Sequence, residues 1–167
     1  GYGHNAEAAQ TLQAALTRMP DNSMANAMMI LCRYRMFEFS AFATSSDVKD
    51  ELLNNAKRAL SLDPSSYFAH FVMALVTQDL FGDYTTALIH AETALELNRG
   101  FAPATAMAGI AKIHLGDPQS GLRELRSGIA VSLEDPHRLR HQRELAIGHF
   151  VVGDSQLAAS TIDKLVR

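Results

Sequence analysis

The chain has 167 residues, of which 47% are hydrophobic and 20% charged. That is ordinary globular composition, long enough to bury a core without staples, and it excludes disorder and low-complexity repeats. Fifteen basic residues against 18 acidic ones leave a formal charge of −3, which argues against a nucleic-acid binder and a polybasic membrane-surface protein. A single cysteine, Cys32, cannot form an internal disulfide, so the fold does not need an oxidising compartment. We therefore expect a cytoplasmic protein. The first residue is Gly1 rather than Met, which suggests a piece of a longer chain.

In chain order, helices are expected near residues 5–18, 23–42, 48–61, 66–81, 84–97, 102–115, 118–131, 137–151 and 155–166. The first is marked off by Gly3, Ala8, Ala15 and Pro20, at steps of five, seven and five. The second is the most apolar. Met24, Met28, Met29, Met36, Phe37, Phe39 and Phe42 lie on more than one of its faces, which predicts burial on two sides, or a self-association surface using Phe39 and Phe42. Arg33, Arg35 and Glu38 within it argue against a membrane span. The third carries a degenerate copy of the spacing, Asp47, Leu52, Ala59 and Pro64.

From the fourth helix onward the spacing is regular. Gly82 is followed by Ala87, Ala94 and Arg99, and Gly116 by Gly121, Gly128 and Leu133. Gly153 is followed by Ala158 and Leu165. Gly82 and Gly116 are 34 residues apart, and Gly116 and Gly153 are 37 apart, the extra three falling at Glu134-Asp135-Pro136. Pro20 and Pro64 are 44 apart, which places an insertion in that unit. Each glycine can end a helix in the left-handed conformation, and Asp83, Asp117 and Asp154 can cap the helix that follows. The small residues Ala87, Gly121 and Ala158 allow close approach within a hairpin. Ala15, Ala59, Ala94 and Gly128 do the same toward the next unit.

Leu80-Phe81-Gly82-Asp83-Tyr84 with Ala87, Ala59-Leu60-Ser61-Leu62-Asp63-Pro64, and Ala108-Gly109 with Leu115-Gly116-Asp117 resemble the tetratricopeptide repeat (TPR) family. The resemblance covers essentially the whole chain. There is no Trp, Leu75 stands where a small residue is usual, and Arg99 and Leu133 replace the terminal proline. It implies an all-α, α–α superhelix of four to five helical hairpins, with residues 1–167 as one repeat domain. No polar capping helix is visible at either side, so the uncapped ends are candidate dimer contacts.

In the resembled family the first helix of each pair lines a concave groove that holds peptides. Carried onto this chain, that implies Val72, Met73 and Val76, then Ala106, Met107, Ile110 and Ile113, then Arg140, Arg143, Glu144 and Ile147. Val72, Met73, Val76, Met107, Ile110, Arg140 and Arg143 are the candidate partner-binding residues. The central helices lack the Lys, Arg and Asn of a terminal-carboxylate clamp, so an amphipathic helix, a peptide or a neighbouring domain is the expected ligand. The competing reading makes these side chains plain core.

No catalytic chemistry is evident, and no cofactor or metal is implied. His137, His141 and Glu144 share a helix face, but Arg138 and Arg140 oppose a cation there. Arg138, Arg140, His141 and Arg143 form a basic patch without interleaved aromatics, which reads as a solvated face. Cys32 lies in an apolar helix and reads as an inert thiol. Finally, Leu133-Glu134-Asp135-Pro136-His137-Arg138, with Ala146-Ile147-Gly148-His149-Phe150 and Gly153, resembles repeats attached to bacterial class III nucleotide cyclases and winged-helix regulators. It implies a regulatory region of a bacterial signalling protein. The alternative is a free-standing TPR scaffold or assembly adaptor.

Overall fold

The computed structural model describes residues 2–38, 46–130 and 138–166. The described residues form helices and short turns, with no strand. The helices are α1 (Tyr2–Arg18), α2 (Ser23–Glu38), α3 (Ser46–Leu62), α4 (Tyr67–Phe81), α5 (Tyr84–Leu97), α6 (Ala102–His114), α7 (Pro118–Ala130), α8 (Arg138–Val151) and α9 (Ser155–Val166). Each matches an expected helix to within a few residues. The last turn expected of α2, with Phe39 and Phe42, lies outside the described residues, as do Leu133 to His137.

The turns work as the spacing predicts. Gly82, Gly116 and Gly153 are the positive-φ glycines, at φ 66°, 94° and 87°. The Gly116 turn is closed by the amide of Asp117 donating to the Lys112 carbonyl at 2.9 Å, the six-residue bond of a helix C-terminus that ends in a left-handed residue. Asp154 repeats it on His149, also at 2.9 Å. The aspartates then cap the next helix. Asp83 accepts from the Thr86 amide at 3.0 Å, Asp117 from Ser120 at 3.2 Å and Asp154 from Leu157 at 3.0 Å. Ser66 caps α4 in the same manner, accepting from Ala69.

The chain forms two compact units, residues 1–82 and 83–167. In the first, α1 packs on α2, α2 and α3 on each other, and α4 on both α2 and α3. Ser23, Ala27, Ile30 and Tyr34 make the buried stripe of α2, and the Ser23 hydroxyl donates to the Ala59 carbonyl of α3 at 2.9 Å. Met24 and Met28 lie on the other side and are exposed. Met29, off that stripe, is also buried, and α2 packs against α1, α3 and α4, so its burial is not confined to one side, while Met24 and Met28 are left open.

In the second unit α5 packs on α6, α6 and α7 on each other, α8 on α6 and α7, and α9 on α8. Ala106, Ile110, Ile113, Leu122 and Leu125 form its core, with Tyr84, Ile129, Leu145, Ile147 and Val152 packed around them. Small residues bring the backbones together. Gly109 and Gly121 face each other across the α6–α7 contact, and Gly128 of α7 lies against Ala106. Ala87, Ala94 and Ala158 are buried, whereas Ala8 at the matching place in α1 is exposed.

Candidate interaction surface

The helices that carry the partner-binding candidates are α4, α6 and α8. Val72, Met73 and Val76 of α4 are almost wholly buried, as are Met107 and Ile110 of α6. Ala106 and Ile113 are buried as well. Ile110 belongs to the core of the second unit. These five apolar candidates therefore offer no surface in this structure, and the core reading describes their position. The physical reason is the size of the neighbours: with glycine or alanine at the helix contacts, adjacent helices close over the aliphatic side chains between them.

The two arginines differ. Arg143 is exposed, and its Nη2 and Nε donate to Oε1 of Glu144 at 2.7 and 3.0 Å. Arg140 is half-buried, with both terminal nitrogens 3.6 Å from the Met107 sulfur. The basic patch is thus not a uniformly solvated face, because His141 within it is buried.

Glu144 is the most deeply placed carboxylate here. Its Oε2 lies 2.8 Å from Nε2 of His114, and the His114 ring stacks on Tyr84 at a centroid distance of 4.1 Å. Burial pushes the Glu144 carboxyl up, but hydrogen bonds from His114 and Arg143, with their charges, outweigh it and hold the group below the usual carboxylate range. The arrangement ties α5, α6 and α8 together. Lys112 does likewise for α5, α6 and α7, with Glu124 at 2.7 Å and Glu92 at 3.4 Å. Desolvation opposes its charge, yet the two carboxylates raise its pKa above that of an ordinary lysine.

Among the described residues no group of three His, Cys, Asp or Glu side chains could hold a metal ion. His137 lies outside them, while Glu144 is already engaged by His114 and Arg143. Burial pushes the Cys32 thiol up, against the opposing effect of Arg35, so it is a poor nucleophile. No described helix is long and apolar enough to cross a membrane.

An open apolar surface does exist, which includes Arg143 and Ile147 of the family carry-over together with residues it did not name. Arg143, Ala146, Ile147 and Phe150 of α8 and Ala158 and Ile162 of α9 line a groove of about 460 Å³. Phe150 is 70% exposed and Ile162 49% exposed. Of the seven partner-binding candidates only Arg143 lies on it. The signal that could have found Phe150 and Ile162 is the repeat register, since Phe150 stands 37 residues after Ile113, as Gly153 does after Gly116.

No family model matches the chain, and no curated protein matches it. Solved structures do. The fold is all-α and of the α–α superhelix class found in TPR solenoids. TTC0263, a thermophilic TPR protein of Thermus thermophilus, superposes with a TM-score of 0.68 at 16% identity, over 98% of this chain and 82% of that one. MamA from Desulfovibrio magneticus RS-1 superposes with a TM-score of 0.64 at 16% identity, over 98% and 85%. A complex of Naa15 and Naa10 bound to HypK-THB matches with a TM-score of 0.56 at 16% identity, over 93% of this chain and 22% of that one.

Proposed function

We propose that this chain is a non-catalytic protein-interaction module whose accessible recognition surface is the α8–α9 groove. The observation that carries the reading is that the exposed Phe150 and Ile162 share one apolar groove with Ala146, Ile147 and Ala158. The TPR-type fold supports it, since stacked helical hairpins present extended surfaces. In this proposal residues 1–167 are one repeat domain, a reading supported by the spacing that runs on through Gly82 and Asp83. The partner is a protein or peptide, and the setting is cytoplasmic. A second copy bound through Met24 and Met28 of α2 is a further contact the reading allows.

The finer reading is a regulatory region of a bacterial signalling protein with a cyclase or winged-helix output. It rests on the sequence resemblance around Leu133 to Gly153. A free-standing assembly scaffold is the second reading, favoured by the Naa15 neighbour, which was solved in a complex with Naa10 and HypK.

The test is a photo-crosslinking amino acid placed at Phe150, with the same group at Ile89 as control. Ile89 is also exposed, on α5. A discrete protein adduct at 150 and none at 89 is expected in the native host. Equal adducts at both, or none at either, would reject the groove as the recognition surface.

A further inference from the structure

Sulfur is concentrated on one helix. Of the seven methionines and the single cysteine, α2 carries Met24, Met28, Met29, Cys32 and Met36. Cys32 is their centre. Met28 stands four residues before it, Met29 three before and Met36 four after. Residues so spaced are neighbours on a helix, with Cβ atoms about 5–6 Å apart. Packing accounts for only part of this set. The buried stripe of α2 is Ser23, Ala27, Ile30 and Tyr34, and Met29 is buried off it, whereas Met28 is 44% exposed. Cys32 and Met36 are half-buried. Met28 and Cys32 thus place a thioether and a thiol, two soft donors, side by side on a partly open helix face. The described His, Cys, Asp and Glu side chains form no metal cluster, so any cation held here has to be one that accepts thioether sulfur.

We infer that α2 binds one soft monovalent cation, of the Cu(I) class, between the Cys32 thiolate and the Met28 thioether. Thiolate and thioether sulfur select such ions, whereas Mg, Ca and Mn take oxygen ligands. The spacing suits two-coordinate binding, since a helical side chain leans toward the preceding turn, and there Cys32 meets Met28. Met24 is eight residues from Cys32, about 12 Å along the helix, and cannot share an ion with it. Binding breaks the Cys32 S–H bond, forms the sulfur–metal bond and releases one proton to water. The ion keeps its single positive charge, and no electron moves. The thiolate and the ion together are neutral, so the Arg35 charge beside Cys32, which would oppose a bare cation, costs the complex little. Burial keeps the free thiol protonated, so affinity rises as the pH is raised.

The test is anaerobic titration of the intact 167-residue chain with Cu(I) in competition with a chromophoric Cu(I) chelator, which reads affinity and stoichiometry. One ion per chain is expected, with an affinity that rises with pH. Met28→Leu keeps the side-chain volume and the apolar surface and removes the sulfur. It should weaken binding at least about tenfold, because losing a ligand costs no less than losing an outer-shell group. Cys32→Ser should weaken it further, and Met24→Leu should leave it unchanged. Met28 is exposed, so leucine there should preserve the fold, and circular dichroism of each variant checks this. No binding overturns the inference. So does a Met28→Leu chain that binds as tightly as the parent, because the thiol then acts alone. Equal losses from Met24→Leu and Met28→Leu also overturn it, being the mark of a diffuse sulfur surface. A complex of two chains around one ion, seen by sedimentation, does the same, since the second ligand then comes from another copy. Leucine preserves any apolar contact made through α2, so the outcome does not depend on whether a partner docks there.

Discussion

Gly109 and Gly121 meet backbone to backbone. A Cβ on Gly109 would lie 2.7 Å from the Gly121 carbonyl oxygen, and a Cβ on Gly121 would lie 2.5 Å from the Gly109 carbonyl oxygen. The obstacle in both directions is main chain, which cannot rotate away as a side chain can. The contact sets the spacing of α6 and α7, and thereby the burial of Ile110, Ile113 and Leu125 beside it. Gly109→Ala and Gly121→Ala should each destabilise the protein by about 1–3 kcal/mol, as overpacked cores do. Urea unfolding monitored by circular dichroism checks this, and an unchanged midpoint would mean the helices separate at no cost.

Ile110 is a candidate for ligand contact by sequence, and its position in the core predicts a different phenotype. Ile110→Ala should cost about 2–5 kcal/mol of stability, the range for truncating a buried aliphatic residue. A variant with parental stability and weaker partner binding would return Ile110 to the recognition surface.

Tyr34 is buried on α2, and its hydroxyl donates to Oδ2 of Asp79 at 2.5 Å. This bond joins α2 to α4. Tyr34→Phe keeps the ring and removes the donor, so the loss should be about 1.5–3 kcal/mol, the range for a hydrogen bond to a charged group. The comparison is equilibrium unfolding of the two proteins. A neutral result would show that the hydroxyl is equally well served by water.

His149 is buried, and Nη2 of Arg126 lies 2.9 Å from its Nε2. The guanidinium can only donate, so this ring nitrogen accepts and is unprotonated. Burial first, then the charge of Arg126, lowers the His149 pKa. Its folded value therefore lies below the ordinary value of about 6.5, so the unfolded chain takes up a proton before the folded one does. The stability tied to neutral His149 is complete above that ordinary value and is lost as pH falls through the folded pKa. Unfolding midpoints should drop as pH falls below the ordinary value of about 6.5, and His149→Gln should make the drop shallower. Parallel slopes for the two proteins would assign the pH dependence to other groups. Glu144, also held low, acts in a separate window. Its contribution is present above the usual carboxylate range of about 4.3 and disappears on acidification through its lower folded pKa.

The cap of α5 allows a sharper test of the turn chemistry. Asp83 is held below the usual carboxylate range by hydrogen bonds from the Thr86 side chain and then its amide. Asp83→Ala should cost about 0.5–2 kcal/mol, and Asp83→Asn less, since Asn also caps. The difference between wild type and Asp83→Ala should fade in acid, as the wild-type carboxylate protonates. Thermal unfolding at neutral and acidic pH would reveal it, and a pH-independent difference would mean the aspartate's charge plays no part.

The helices and their punctuation are legible in the amino-acid order alone. Glycine at 82, 116 and 153 followed each time by aspartate is local chemistry, because a left-handed residue and a side-chain cap need only their own few neighbours. Small residues at Gly121 and Gly128 likewise announce a close helix contact, since nothing larger fits there. Which face of a helix stays open is not local, and packing settles it. Ile113 and Phe150 hold the same place in successive repeats and read alike in sequence. One is covered by α8 and the other is exposed, because burial depends on what packs next, and no residue encodes that alone. For the same reason Val72, Met73, Val76, Met107 and Ile110, apolar at helical spacing, read equally as groove or core until the neighbouring helices close over them.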